Sequence, residues 1–332
     1  MVMAPVEKEF IALREKVGKE GLLDKQPSYY VLKSVSTFGL LILGIAVFVL
    51  IDSTVIRILD AFFFAFVFVQ LGLIGHDIAH NQVFHSRRRC RIFGTLYWSL
   101  LLGASFKYWN KKHNDHHAHP NELDNDPDMN VPLIFSPAQY ARIGSPIRRK
   151  IVGFQQWYFF PLISFAYINV IRRSIIFILQ EMKRGGRASY IEFLLLSMYF
   201  TAYIVFVFSF LEFLPGMLFI TIHHLAGGLY MGSIFAPNHK GMPIMGTQRP
   251  PFFRRQILTS RNIKQNRFID FLYGGLNYQI EHHLFPTMPR NNLKKVQKNI
   301  KDFCKEYGIA YHETGVVGSF AEILAELKLM KP

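Results

Sequence analysis

The stretch that decides the fold is residues 54–80, TVIRILDAFFFAFVFVQLGLIGHDIAH, a long apolar run that ends in two histidines. A helix needs roughly 20 predominantly apolar residues to cross the hydrocarbon core of a bilayer, and this run has that length. On a helix, positions i and i+4 share a face, so His76 and His80 point the same way. The stretch therefore predicts a membrane-spanning helix with a pair of imidazoles at its end.

Three other runs have the length and composition of membrane spans. They are residues 34–51, 190–211 and 215–236, beside the run at 54–75. We therefore expect an all-α integral membrane protein with four transmembrane helices and a helical cap outside the membrane. The weaker stretches 92–105 and 157–179 are too short or too interrupted to span, and we interpret the second as interfacial helices.

The spans divide the chain into five segments. These are an N-terminal segment (1–33), a first transmembrane hairpin (34–75), a polar segment (76–189), a second hairpin (190–236) and a C-terminal segment (237–332). Lys and Arg are concentrated in the two polar segments after the hairpins, while the short connections inside the hairpins hold almost none. Because cytoplasmic loops carry an excess of Lys and Arg, we expect both termini and both polar segments in the cytoplasm.

Composition narrows the class of protein. The chain has 332 residues, of which 50% are hydrophobic, and a formal net charge of +15. That charge alone fits nucleic acid or an anionic membrane, and the apolar runs favour the membrane. Cys90 and Cys304 lie far apart, which excludes disulfide scaffolds, cysteine-ligated iron–sulfur clusters and zinc ribbons. The first 30 residues are mixed in charge, so we expect no signal peptide there.

Two further histidine clusters repeat the helical spacing. They are His113-Asn-Asp-His116-His117 and Gln279-Ile-Glu-His282-His283. With the first pair, they gather seven of the 13 histidines into three short polar stretches. An even number of spans separates the clusters, which places all of them on one side of the membrane. Imidazole is a good ligand for iron, zinc, copper and nickel, so three converging faces predict a nitrogen-rich metal site.

An acidic residue lies inside each cluster: Asp77, Asp115 and Glu281. Metal-bound imidazoles commonly donate their second N–H to a carboxylate that fixes the orientation of the ring. We therefore expect these three side chains to support the metal ligands, although acids at such positions also serve simply to solvate a helix.

The three clusters resemble the histidine boxes of the integral-membrane fatty acid desaturases, HxxxH, HxxHH and [HQ]xxHH. The third box reads QxxHH, a variant typical of the front-end branch, which includes the linoleoyl-type enzymes. The stretches WNKKHNDHH (109–117) and DFLYGGLNYQIEHHLFP (270–286) carry the resemblance most specifically. The similarity extends from about Leu22 to Gly308, which is nearly the whole chain.

The resemblance implies a centre of two iron ions, ligated mainly by the box histidines, with O2 as co-substrate. It also implies one further histidine ligand after the fourth span, and His239 in Ala236-Pro-Asn-His239 has that position. Gln279 departs from the all-histidine pattern. An amide is a poor ligand for iron, so Gln279 binds weakly, holds a water or only shapes the site. The implied reaction is cis desaturation of an acyl chain carried by coenzyme A or a lipid.

The electron source is expected on another protein. Desaturases with a fused cytochrome b5 domain carry an HPGG haem motif, whereas His119-Pro120 continues here as Asn-Glu, and no glycine fingerprint for a flavin or nicotinamide is present. We expect a separate ferredoxin, cytochrome b5 or reductase.

Between residues 293 and 303, apolar residues at helical spacing alternate with lysines, which predicts a helix with a basic face. That face is either simply solvated or a docking surface for anionic headgroups or an acidic electron donor.

Other functions remain open from the residues alone. A lipid hydroxylase or ketolase of the same di-iron superfamily shares these motifs. A membrane cytochrome or metal transporter fits less well, because the clustered histidines lie at one surface of the membrane. A nucleic-acid partner is not expected.

His223 and His224 lie deep in the fourth span, about 22 Å of helix from His239, and we expect them to hydrogen-bond within the helix bundle.

Overall fold

The computed structural model describes residues 5–246 and 250–330. The first four residues of the predicted N-terminal segment and the last two of the C-terminal segment lie outside this range. The α-helices are α1 (Pro5–Lys19), α2 (Pro27–Leu50), α3 (Thr54–Ala79), α4 (Arg87–Thr95), α5 (Phe106–Ala118), α6 (Pro137–Ala141), α7 (Pro146–Val152), α8 (Gln155–Ser164), α9 (Ala166–Lys183), α10 (Arg187–Phe210), α11 (Phe213–His239), α12 (Phe252–Leu258), α13 (Arg267–Leu272), α14 (Gln279–Leu284), α15 (Arg290–Glu306) and α16 (Val316–Leu329). A π-helix occupies Leu96–Leu101 and a 3-10 helix Pro127–Met129.

Strand is minor in the described part of the chain. The strands β1 (Asn262–Ile263) and β2 (Glu313–Thr314) pair in parallel, with Asn262 opposite Glu313. The prediction of an all-α protein is therefore confirmed.

The helices α2, α3, α10 and α11 are long and apolar enough to cross a membrane, with mean hydropathy of 2.1 in the first three and 1.3 in α11. They confirm the four predicted spans, although α2 begins earlier and α11 ends later than the hydropathy alone indicated. The protein is thus an integral membrane protein. The helices α8 and α9 form a pair bent by 61°, which brings the number of candidate spans to five if the pair counts as one.

The chain divides into two compact units, each formed by more than one segment. Unit 1 comprises residues 1–25, 112–160 and 234–332, and unit 2 comprises residues 26–111 and 161–233. The core of unit 1 is built mainly from α12, α14 and α15, where the predicted apolar face of α15 is buried: Leu293, Val296, Ile300 and Phe303. The predicted amphipathic helix is therefore confirmed.

Unit 2 contains α2, α3, α10 and most of α11, and a core rich in aromatic rings. The ring of Phe48 lies 4.7 Å from that of Phe206 and 5.0 Å from that of Phe219. Helix ends in this unit are tied together by Arg57, whose guanidinium donates to the carbonyl of Phe48 at 2.9 Å and to that of Phe210 at 3.1 Å. Carbonyls at helix C-termini have no partner within their own helix, so this arginine satisfies groups that the membrane would leave unsolvated.

The break between α8 and α9 lies against two glycines of α11. A β-carbon at Gly228 would lie 1.9 Å from the carbonyl oxygen of Ser164, and one at Gly232 would lie 2.8 Å from Ile163. Glycine is required here because the two backbones approach too closely for any side chain.

Candidate metal centre

The second histidine cluster lies at the C-terminal end of α5, and its carbonyls are held by α12. Gln256 donates through Nε2 to the carbonyl of His117 at 2.9 Å, and Arg255 donates to that of Ala118 at 3.1 Å. These bonds satisfy carbonyls that the end of α5 leaves without helical partners. They also fix the helix that presents His113, His116 and His117.

The third cluster occupies the short helix α14, which follows a tight turn. Gly274 and Gly275 in this turn have φ of 57° and 82°, a left-handed conformation that glycine adopts readily. Asn262 then accepts a hydrogen bond from the backbone N–H of Ile280 at 2.9 Å, at the start of the helix. The turn and this bond place His282 and His283 in the interior of unit 1, where both are buried.

Three Nε2 atoms from these clusters meet at one point of unit 1. The Nε2 of His117 lies 3.1 Å from that of His113 and 3.2 Å from that of His282. We call this group the first nitrogen focus. The aromatic faces of His117 and His283 stack with centroids 4.1 Å apart, which connects this focus directly to a second one.

The second nitrogen focus consists of His116, His239 and His283, whose candidate ligand atoms lie within 4.8 Å of one another. All three rings are buried. The Nε2 atoms of His116 and His239 are 3.2 Å apart. The predicted additional histidine, His239, therefore lies beside residues of the second and third boxes within unit 1.

Hydrogen bonds at Nδ1 fix the tautomers of the second focus. His239 donates from Nδ1 to the carbonyl of Thr259 at 2.9 Å, since a carbonyl can only accept. The Nε2 of Gln256 is committed to the carbonyl of His117, so its Oε1 is the atom that accepts from Nδ1 of His283, at 2.7 Å. In both neutral rings the lone pair is therefore on Nε2, the nitrogen that faces the focus.

A carboxylate performs the same role for His116. Its Nδ1 lies 3.0 Å from both oxygens of Asp126. The two oxygens also accept from the backbone N–H groups of Asn121 and Asp128, each at 2.8 Å. Burial lowers the pKa of His116, but the charge and hydrogen bond of Asp126 and the charge of Asp128 together outweigh burial, and the pKa is raised.

The donor set fits a metal ion. The Nε2 atoms of His116 and His239 lie 3.2 Å apart, close enough for both to bind one ion. Two ligands about 2.0–2.1 Å from one metal ion and roughly at right angles are about 3 Å apart, which matches the separations in both foci. Neutral imidazole nitrogens with carboxylate, carbonyl and amide partners at Nδ1 are the arrangement that transition-metal sites use.

Gln279 lies beside the second focus and is buried. Its amide Nε2 is 2.9 Å from Nε2 of His239, and its Oε1 accepts from Asn238 at 2.9 Å. In this orientation the amide donates toward the lone pair of His239 and offers the focus no oxygen. Gln279 therefore acts in this structure as a hydrogen-bond donor to His239 and not as a ligand.

The first histidine box lies in unit 2. The rings of His76 and His80 have centroids 4.6 Å apart, as the HxxxH spacing predicts for one helix face. Nδ1 of His76 is 3.2 Å from Oδ1 of Asp77. The ring of Trp109 packs edge-on against His76 at 5.5 Å.

The other acids and histidines have separate surroundings. Glu281 accepts from Asn262 at 2.6 Å and from Tyr311 at 2.7 Å, and burial raises its pKa to about 7. Asp115 lines a cavity of about 550 Å³ in unit 1. In unit 2, His223 contacts the hydroxyl of Tyr203 at 2.7 Å, as expected for a histidine that hydrogen-bonds within the bundle.

Sequence reasoning missed the residues that orient the second focus: Asp126, Thr259, Gln256 and Asn121. Asn121 and Asp126 lie in the loop after α5, Gln256 lies in α12, and Thr259 directly follows α12. Along the sequence they are 5 to 139 residues from the groups they bond. The Asp-Pro-Asp sequence at 126–128 was the one available signal, because an aspartate before proline often caps a turn.

Known proteins provide an independent comparison. The family model described as "Fatty acid desaturase" matches residues 55–315. An acyl-lipid (9-3)-desaturase of the moss Physcomitrium patens is 32% identical over 97% of this chain and 62% of its own length. A Delta(8)-fatty-acid desaturase of Euglena gracilis is 30% identical over 92% of this chain and 74% of its own, and a Delta(6)-fatty-acid desaturase of Caenorhabditis elegans is 30% identical over 97% and 74%. The chain therefore spans less than two thirds of the moss relative and about three quarters of the other two.

The fold and the two nitrogen foci define a membrane protein with a histidine-rich site suited to metal ions. With a family model matching most of its length, the chain belongs to the fatty acid desaturase family, whose members are membrane oxidoreductases. The names of its relatives also confirm the front-end branch that the QxxHH box indicated.

Proposed function

We propose that this protein is a fatty acyl desaturase that introduces a cis double bond into an acyl chain at a centre of two iron ions. The observation that carries the proposal is the pair of nitrogen foci in a chain of this family. In the overall reaction O2 takes two hydrogens from adjacent methylenes of the substrate, and two electrons with two protons from a donor. The two oxygen atoms leave as two water molecules.

Iron would supply the oxidant that breaks unactivated C–H bonds, a step for which no acid or base in a protein is strong enough. The protein's own contribution is to hold the ligands. The proposed ligands are His76, His80, His113, His116, His117, His239, His282 and His283. The bonds from Nδ1 to Asp126, Thr259 and Gln256 fix three of these rings before metal binds, which lowers the cost of ordering the site.

The assignment of His76 and His80 to the same centre rests on the HxxxH spacing and on the family. Asp77 is proposed to orient His76, and the 3.2 Å contact supports this. For Asp115 and Glu281 a supporting role is proposed from their positions in the boxes. Gln279 is proposed to contact metal weakly or through a water, after its amide turns its oxygen toward the focus.

We also propose the topology. Both termini and all histidine clusters lie in the cytoplasm, with the segment boundaries given by the four spans. The support is the concentration of Lys and Arg in the segments that flank the hairpins. Cysteine labelling tests it, since both native cysteines are buried. A Lys298→Cys variant should react with an impermeant reagent only from the cytoplasmic side.

Electrons are proposed to come from a separate protein, a ferredoxin, cytochrome b5 or reductase. The exposed lysines of α15, which include Lys294, Lys295 and Lys298, form a positive surface suited to an acidic donor. Charge reversal at Lys298 should slow turnover at limiting donor and leave the fold intact.

The decisive experiment is expression in a host that lacks the activity, together with an electron donor, followed by mass spectrometry of the fatty acids. We expect a new cis double bond, lost in a His117→Ala variant. Iron-loaded protein that yields no new double bond with a competent donor contradicts the proposal. A hydroxylated or keto product instead indicates the alternative reaction, and comparison of lipid and coenzyme A fractions identifies the carrier.

A further inference from the structure

An apolar face is exposed along α7 and the start of α8. Ile147 and Trp157 are 74% and 75% exposed, and Ile151 and Phe154 between them are more than half exposed. The spacing of these residues is four, three and three, and backbone hydrogen bonds from Phe154 to Ile151 and from Trp157 to Phe154 continue the helical path through the turn. The four side chains therefore form one continuous stripe, which we call the apolar stripe.

The opposite face of this segment is fixed to unit 1. Val152, Gln155 and Phe159 are buried. Gln155 accepts from the backbone N–H of Ile134 at 2.9 Å and donates to the carbonyls of Ile134 and Leu327 at 2.8 and 3.0 Å. The segment is thus held in place from behind, and exposure of the apolar stripe is a property of the folded unit.

The residues around the apolar stripe are basic. Arg148 and Lys150 are exposed, while Arg149 between them donates to the carbonyl of Ile143 at 2.8 Å. Tryptophan, aliphatic side chains and neighbouring Lys or Arg together are the composition of helices that lie in the interface of anionic membranes.

The chain also continues directly into membrane-type sequence. The helices α8 and α9 together pass the length and hydropathy test for a span, and α8 begins at Gln155, two residues before Trp157. The apolar stripe therefore runs directly into apolar helices, with Trp157 already in α8.

We propose that residues 146–157 form an interfacial anchor, in which the apolar stripe inserts into a bilayer surface and Arg148 and Lys150 bind anionic lipid headgroups. Three tryptophans make the proposal directly measurable. Trp98 and Trp109 are buried and stack on each other at 4.4 Å, so Trp157 is the exposed one.

The experiment uses the full chain reconstituted in vesicles of phosphatidylcholine and phosphatidylglycerol with brominated acyl chains. The emission of Trp157 is obtained by subtracting that of a Trp157→Phe variant. We expect brominated lipid to quench this emission strongly and aqueous iodide to leave it unchanged. In the Trp157→Phe background, emission from an Ile147→Trp variant should behave in the same way, while that from Asp302→Trp, at an exposed acidic position, should respond to iodide only.

The contribution of the basic residues to membrane binding is measured separately. In vesicles with less phosphatidylglycerol, quenching of Trp157 should weaken, and a Lys150→Gln variant should reduce this dependence on anionic lipid. Trp157 emission that iodide quenches in vesicles overturns the anchor. Emission shielded from both quenchers also overturns it, in favour of contact with a second copy of the chain. Neither readout depends on metal or on enzymatic activity.

Discussion

The Nδ1 atom of His116 lies 3.0 Å from both oxygens of the buried Asp126. Two backbone N–H groups hold the carboxylate, so it cannot turn away from the ring. The ring is consequently oriented with Nε2 toward His239 before any metal arrives.

Replacement of Asp126 by Asn should weaken metal binding by roughly 10–100-fold, the usual effect of losing a partner of a ligating histidine. An amide presents a donor as well as an acceptor, so it fixes neither the tautomer nor the angle of His116. Affinity is measured by competition with a chelator. Asp124→Asn is the matched control, since Asp124 lies in the same loop but forms an exposed ion pair with Arg142. Equal affinities in the two variants would contradict the orienting role.

A second prediction concerns Gln256, which bonds both the carbonyl of His117 and the ring of His283. Gln256→Ala leaves two buried polar groups without these bonds, at about 1–3 kcal/mol for each. We expect a clear fall in thermal stability and in bound metal. Gln180→Ala, at an exposed position of α9, should change neither. Wild-type metal content in Gln256→Ala would show that the two hydrogen bonds of Gln256 are not needed for metal binding.

Gln279 and His283 should differ in their effect on metal content. His283→Ala removes an imidazole from the second focus, whereas Gln279→Ala removes an amide that donates toward His239. We therefore expect Gln279→Ala to retain most of its iron and His283→Ala to lose a large part. Elemental analysis of purified protein decides between them. A loss of the same size in both variants identifies Gln279 as a full ligand.

Arg261 is fully buried and supports the end of α11, the helix that carries His239. Its guanidinium donates to the carbonyls of Pro237 and Lys240 at 2.7 and 2.8 Å and pairs with Glu322 at 2.6 Å. Arg261→Lys keeps the charge but not the fork of donors, and should destabilise the protein by about 1–3 kcal/mol. In a thermal unfolding assay, Arg142→Lys at the exposed pair with Asp124 should be nearly neutral. Similar stability of the two variants would argue against this support.

The sequence was sufficient to predict the spans, because hydropathy over about 20 residues reports a membrane helix without any knowledge of tertiary contacts. It was also sufficient for the histidine faces, which depend only on helical spacing. The orientation of the histidine rings, by contrast, could not be predicted from helical spacing. Asp77 contacts the adjacent His76, whereas Glu281, which precedes His282, bonds Asn262 and Tyr311. The partner of His116 comes from an irregular loop, whose path no periodicity describes.

The last prediction tests the proposal that the first box completes the metal centre. His80→Ala should lower the ratio of iron to protein and abolish desaturation, because it removes one of the eight proposed imidazole ligands. His85→Ala is the control, since His85 lies five residues beyond His80 and outside the HxxxH spacing. Iron is measured by elemental analysis and folding by thermal unfolding of the metal-free protein, so that loss of metal is separated from loss of fold. A His80→Ala protein with full iron content and full activity would remove the first box from the centre and leave the two foci of unit 1 as the whole site.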